Sequence, residues 1–373
     1  MRKILLILIF ISSSLLFSQE LGGWKFNAQI QLRSEVDGRD FSNKTHPLTF
    51  ASIRTRLGVE KTFDEKVQLF VQFQDSRVLG EEGSPTSYTA NVDLYQGYIK
   101  LIKPFDLDFN VQAGRFAVLY GTERFFGVSG WSYIARSFDG VRFSIMPEKW
   151  DLDLFALTLK ESVGYINNPS SSIYPYPQIE TPSHSIYGFY KKNVLTASSK
   201  FDLIAFYEID REDVAPDTNK VGLFTIGGTY FGNYGDFSTV VEAAFQTGNR
   251  GVRDVNAYMF SLSGYYKIGI SSLGIGADIL SGNDPNKSDK ANAYVPAYGT
   301  NHKFYGFMDY FPSNTLGLGI HDFYFKSTFN PVDSKFSFSA DFHHFMSNQK
   351  SVSGQNTFGQ ELDFTVIYKF VQG

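Results

Sequence analysis

Arg54 and Arg56 stand two apart in the run Ser52-Ile53-Arg54-Thr55-Arg56-Leu57. In an extended chain that spacing sends both guanidinium groups to one face, opposite Ile53, Thr55 and Leu57. Arg142 sits between Val141 and Phe143, and Arg136 shares its parity; Arg115 and Arg124 flank Tyr120-Gly121. A guanidinium is a planar fork that grips a carboxylate through two parallel hydrogen bonds. Arginines ranged along the wall of a pore favour anions. Carboxylates recur at the same parity: Glu60, Glu242, Asp341 with His343, and Glu361 with Asp363. Two readings follow. The arginines pair with these acids and stiffen a wall, or they form an anion-attracting constriction, and both can hold at once.

Such residues need a scaffold with one wet face, and the chain beyond residue 22 supplies it in segments of about 10–13 residues with period-two alternation. In 66–74, Val67, Leu69, Val71 and Phe73 point one way, and Gln68, Gln72 and Gln74 the other. Leu362, Phe364, Val366, Tyr368 and Phe370 alternate with Glu361, Asp363, Thr365 and Lys369. Strands about 10 residues long with one greasy and one polar face are the signature of a transmembrane barrel. Only a closed sheet pairs every backbone N–H and C=O inside a bilayer. An arginine on the lipid side costs about 2–4 kcal/mol near the midplane, which leaves the lumen as the place for so many. A soluble β-sandwich or propeller secreted to the periplasm is the competing fold, but its interior would be apolar.

The connections alternate as well. Short joins near 62–66, 103–106, 147–149, 194–199, 232–236, 268–272 and 330–334 interleave with longer polar ones near 35–48, 77–91, 118–134, 160–184, 211–220, 248–254, 282–315 and 348–357. Seven tight turns and eight long loops give 16 strands with both ends periplasmic. A further hairpin using 304–311 makes 18. The expected fold class is therefore all-β, a transmembrane antiparallel up-and-down β-barrel of 16–18 strands over 19–373.

Residues 1–18 read as an export leader. Arg2 and Lys3 precede the apolar run 4–11, and Ser18 supplies the small residue before a cut at Gln19. Taking Arg2 and Lys3 from the 34 basic residues leaves 32 against 38 acidic, a charge of about −6. That balance argues against nucleic acid as a partner. With 37 Phe, 22 Tyr and 33 Gly the composition suits strands. Outside the leader no apolar run approaches the ~20 residues of a spanning helix. The chain has no cysteine, which excludes disulfides, thiolate metal sites and a cysteine nucleophile.

Three further patterns carry less. The six histidines offer no nucleophile and base at recognisable spacing, and 127–130 lacks the Gly-x-Ser-x-Gly elbow, so no enzyme is expected. The loop 284–289 opens like a calcium loop but has no Gly at its sixth position and Val295 at its twelfth. Tyr174-Pro175-Tyr176-Pro177 could stack on sugar rings or simply stiffen a loop. Trp24, Trp131 and Trp150 fit interfacial girdles.

Several segments in order along the chain resemble the alginate export porin family. They are 111–115, 120–124, 131–132 and 136–143, preceded by 93–98 and followed by 301–311 and 359–363. The resemblance implies a monomeric 18-stranded outer-membrane barrel, without cofactor, whose electropositive lumen passes an anionic polysaccharide or another carboxylate solute. On that pattern Arg54, Arg56, Arg115, Arg136 and Arg142 are lumen arginines. Asp139 is an internal counter-charge, which requires a bulge near Gly140 because alternation sets it opposite Arg142. A dedicated alginate exporter is longer and more heavily charged, so the family does not fix the solute. The expected partners are membrane lipid and an anionic saccharide or small anionic solute. The alternatives are a general or phosphate-type porin and a plugged barrel with a surface-binding role.

Overall fold

The computed structural model describes residues 11–38, 44, 46–80, 92–160, 183–211, 221–287, 289–313 and 315–370. The Tyr-Pro repeat of 174–177 lies outside them. The described residues contain 17 strands and two short 3-10 turns, and no helix among them is long and apolar enough to cross a membrane.

The described residues fall into two compact units. The first covers 11–138 and 296–310 and holds β1 (Ile11–Leu21), β2 (Trp24–Asp37), β3 (Leu48–Phe63), β4 (Val67–Val78), β5 (Val92–Ile102) and β6 (Asn110–Phe116). The second covers 139–295 and 311–370. Its strands begin with β7 (Phe138–Ile145), β8 (Trp150–Lys160), β9 (His184–Thr196), β10 (Ser199–Asp210), β11 (Val221–Tyr234) and β12 (Phe237–Arg250). They continue with β13 (Arg253–Ile268), β14 (Ser271–Leu280), β15 (Ile320–Phe329), β16 (Phe336–Met346) and β17 (Thr357–Tyr368). Within each unit consecutive strands pair antiparallel, from Ile11↔Ser34 at one end of the first to Phe336↔Tyr368 in the second. Residues 11–18 of the expected leader are the first part of β1.

All seven short joins fall where the sequence places them. Asp64 and Glu65, both at positive φ, turn β3 into β4, and Gly235 and Gly269 serve the β11–β12 and β13–β14 turns in the same left-handed region. The join expected near 248–254 is shorter than predicted, because β12 and β13 pair as far as Arg250↔Arg253.

Alternation becomes inside-out burial. Arg54 is 3% exposed while Leu57 beside it is 61% exposed; on β17, Glu361 is 7% and Phe364 72% exposed. The same holds on β13, where Ser261 and Ser263 are buried and Phe260 and Leu262 exposed. A soluble sheet would reverse this, since burying polar groups while wetting Phe and Leu costs free energy on both counts. In a bilayer the order is favourable, because the greasy side meets hydrocarbon and the ladder satisfies the backbone. The fold is an all-β transmembrane antiparallel up-and-down β-barrel.

The extra hairpin over 304–311 is not formed. Tyr305, Gly306 and Asp309 have φ of 28°, 80° and 52°, incompatible with an extended strand, and the segment follows a 3-10 turn at Asn301–Lys303.

Candidate functional site

The first unit carries the arginine-bearing wall. Alternation on β2, β3 and β4 sends Gln29, Gln31, Arg33 and Glu35, then Ser52, Arg54 and Arg56, then Gln72, Gln74 and Ser76 to the buried face. Arg33 and Glu35 are ion-paired on β2. Arg56 Nε donates to Gln74 Oε1 at 2.7 Å and Nη1 to Gln29 Oε1 at 3.4 Å. Its guanidinium carbon lies 3.6 Å from the centroid of the Tyr95 ring. Tyr95 reaches that position through a β-bulge: the β4–β5 register shifts between Gln72 and Phe73, leaving Tyr95 as the extra residue turned to the buried face.

A long loop, 117–137, lies against this wall and is held by its backbone carbonyls. Arg33 donates to Trp131 O, and Arg54 Nη1 donates to Gly130 O at 3.2 Å and Ser132 O at 2.6 Å. Ser76 Oγ donates to Tyr133 O at 2.6 Å, Gln74 Nε2 to Ile134 O at 2.7 Å and Tyr95 Oη to Arg136 O at 3.3 Å. Polar side chains of three wall strands and of the bulge thus replace the ladder partners that a loop cannot supply for itself.

The segment 296–310 packs on that loop. Gly127 N donates to Tyr298 O, and Thr300 N to Glu123 O, each at 2.9 Å. Glu123 is the hub: its carboxylate accepts from Thr300 Oγ1 at 2.7 Å and from Val128 N at 3.2 Å, and it is ion-paired with Lys303. Arg124, 3% exposed, donates to Tyr305 Oη at 2.9 Å and stacks on Phe304 at 3.7 Å. Arg136 Nη1 donates to Gly299 O at 3.4 Å. The Trp131 and His302 rings stack at 4.1 Å, and His302 is held by Asp309 at 2.9 Å. Phe126, Tyr298 and Phe138 form a buried aromatic cluster beneath.

The second unit is wired differently. Arg142 Nη1 lies 3.7 Å from Asp153 Oδ2, Lys192 Nζ 3.6 Å from Asp151 Oδ2 and Lys326 Nζ 2.9 Å from Asp341 Oδ2, each pair crossing to a neighbouring strand. His343 Nδ1 lies 2.8 and 3.0 Å from the two oxygens of Asp322, and both residues are essentially sealed from water. Glu242, 2% exposed, accepts from Thr229 Oγ1 at 3.1 Å. No group of three or more His, Asp or Glu arranged to hold a metal ion occurs among the described residues. At 284–287, where the sequence hints at a calcium loop, Asp284 Oδ1 accepts from the backbone N–H and the side-chain amide of Asn286.

The nine residues expected to form the site therefore separate. Arg54, Arg56, Arg124 and Arg136 come together around the loop in the first unit. Arg142, Glu242 and Asp341 lie on the buried-face parity of the second. Two others face elsewhere. Arg115 takes the parity of Val111 and Ala113 on β6, opposite Gln112 and Phe116, with Nη1 on Leu94 O at 3.3 Å and Asp93 Oδ2 at 4.0 Å. Asp139 is exposed, because β7 and β8 pair without interruption from Asp139↔Thr158 to Ile145↔Leu152 and no bulge at Gly140 turns it inward. Arg33, Glu35, Ser76, Glu123 and Lys303 were not anticipated. The alternation of Gln29, Gln31, Arg33 and Glu35 with Ile30 and Leu32 could have found the first two. Nothing local marks Glu123 and Lys303, which lie 180 residues apart.

A family model described as "Alginate export" matches residues 24–372. No curated protein matches the chain. Among solved structures, Acinetobacter baumannii OccAB4 is similar over 94% of this chain and 88% of its own, at TM-score 0.59 and 10% identity. Pseudomonas aeruginosa OccK3 (OpdO) is similar over 93% and 86%, at 0.59 and 15%. Pseudomonas aeruginosa OccK11 (OpdR) is similar over 98% and 86%, at 0.56 and 13%. At these identities the likeness shows the fold alone.

Proposed function

The chain belongs to the alginate export family of bacterial outer-membrane porins, and from that premise we propose that it is a passive, non-enzymatic diffusion channel favouring anionic solutes, uronate-containing saccharides among them. One observation carries the reading. Arg54, Arg56 and Arg136 hydrogen-bond to carbonyls, glutamine amides and an aromatic ring, with no carboxylate partner among the described residues. The partners they do have are neutral, and their charge is not cancelled. In a low-dielectric wall an uncancelled charge projects further than it does in water, and a cationic constriction enriches anions. The family name and the wall point the same way.

Liposome swelling tests the reading. Proteoliposomes should admit galacturonate faster than glucose, although the uronate is the larger in hydration. Equal rates for the two sugars, unaltered in the R54Q/R56Q/R136Q variant, would discard the anion preference and leave a general porin. A second reading, a plugged barrel with a surface-binding role, is favoured by the many tethers on loop 117–137. Absence of single-channel current in planar bilayers would select it. We further take 1–18 as a cleaved leader, which leaves β2 to β17, sixteen strands among the described residues, in a monomer embedded in outer-membrane lipid. Amino-terminal sequencing of the membrane-extracted protein then begins at Gln19, and a sequence starting at Met1 refutes the cleavage.

A further inference from the structure

Arg54 is the most fully covered guanidinium in the wall, and what covers it is the protein's own backbone. Gly130 O and Ser132 O both sit on its Nη1, at 3.2 and 2.6 Å. Two neutral oxygens share one guanidinium nitrogen, flanked by a further carbonyl on Arg33, where a carboxylate would engage two nitrogens in parallel and bring its charge. Nε of Arg54 has no acceptor among the described residues, although the residue is 3% exposed. Neutral carbonyls have therefore filled a cationic position incompletely.

The segment that provides those oxygens is also bent under load. Ser129 and Ala135, immediately outside it on either side, adopt φ of 48° and 61°, a left-handed conformation that a Cβ disfavours. Strain of this sort persists only while the surroundings hold it. The side chains of Arg33, Arg54, Gln74 and Ser76 hold the segment to the wall, while Arg136 N to Val128 O at 2.9 Å and Ser129 N to Thr300 Oγ1 at 3.0 Å close its base.

We propose that residues 130–134 are a displaceable latch: the carbonyls of 130–132 occupy guanidinium donors that a solute carboxylate can take instead, so that binding of a uronate-bearing saccharide at Arg54 releases the loop from the wall. The exchange is favourable in direction because a charge-assisted hydrogen bond to a carboxylate is stronger than one to a neutral carbonyl, and because Nε then gains its acceptor. A neutral saccharide has only hydroxyl oxygens to offer and leaves the latch closed. The latch rests on the anion-channel reading and goes beyond it, since an open arginine-lined pore needs no moving part.

The absence of native cysteine lets one reporter be placed cleanly. In a Ser132→Cys variant, labelling by a membrane-impermeant maleimide should accelerate severalfold with a uronic-acid trisaccharide and stay constant with a neutral hexose trisaccharide. In S132C/R54Q it should be fast without sugar and indifferent to it. Should that variant fail to fold, S132C/S76A/Q74A removes two tethers away from Arg54 and should show a raised baseline that still responds to the uronate. If the uronic-acid trisaccharide interrupts single-channel current while S132C labelling does not change, the channel reading stands and the latch is overturned. If it alters neither current nor labelling, the anion reading falls and takes the latch with it.

Discussion

The two units build the same kind of wall and differ in how far its basic side chains are paired with carboxylates. In the second, three basic side chains on the buried face find a carboxylate on a neighbouring strand, in Arg142–Asp153, Lys192–Asp151 and Lys326–Asp341, while Arg250 donates to the loop carbonyl of Ala293. In the first, Arg54, Arg56 and Arg136 rest on neutral oxygens, and the acceptors for Arg54 and Arg136 belong to loop backbone. Pairing across strands spends charge on rigidity. Pairing with neutral oxygens leaves the charge uncancelled. The second unit has more acids than bases, but Asp202, Glu242, Asp278 and Asp322 are each 2% exposed or less. They shape the wall without presenting themselves to a solute. On the proposed reading, selectivity and stability fall to different parts of one barrel.

That division can be broken in order of expected effect. The largest loss should come from His343→Ala, which strands the sealed Asp322 carboxylate; removing one partner of a buried pair costs about 3–5 kcal/mol. Urea unfolding of the purified protein in detergent micelles measures it, and ion selectivity should not change. Next comes Phe325→Arg near the middle of β15, on the lipid side, with a cost of about 2–4 kcal/mol read from the same unfolding curve. A loss well under 1 kcal/mol would place that face away from lipid. Smaller again is Ser76→Ala, which deletes one tether of loop 117–137 at about 0.5–1.5 kcal/mol. Its readout is faster hydrogen exchange confined to that loop.

The smallest effect belongs to pH. The Asn286 backbone N–H, foremost among several donors, holds the half-buried Asp284 carboxyl below its ordinary value. A depressed carboxylate contributes order that is complete above its unfolded value, near about 3.9, and is lost as pH falls through the folded one. Acidification from pH 5 should therefore loosen only the 284–287 turn, in amide chemical shifts that Asp284→Asn makes pH-independent.

Much of this scaffold is legible in the chain because a strand exposes its period directly. Arg54, Arg56 and Leu57 state their faces by position, and turns such as 64–66 and 235–236 announce themselves through residues that tolerate left-handed backbone. Arg115 was readable too: Val111 and Ala113 share its parity, and the family pattern that counted it among the lumen arginines ran against that alternation. The bulge that turns Tyr95 toward Arg56 left no such trace, since one extra residue shifts register without altering composition. Nor did the inward loops. Their order comes from Glu123 meeting Thr300 and Lys303, and Trp131 meeting His302, contacts between segments more than 160 residues apart that no local pattern encodes.

The uncancelled arginine charge of the first unit is tested most directly by the reversal potential of the purified channel in a planar bilayer under a potassium chloride gradient. The wild-type protein should favour chloride, and the R54Q/R56Q/R136Q variant, still conducting, should lose that preference. A potassium preference that the three substitutions leave untouched would contradict it.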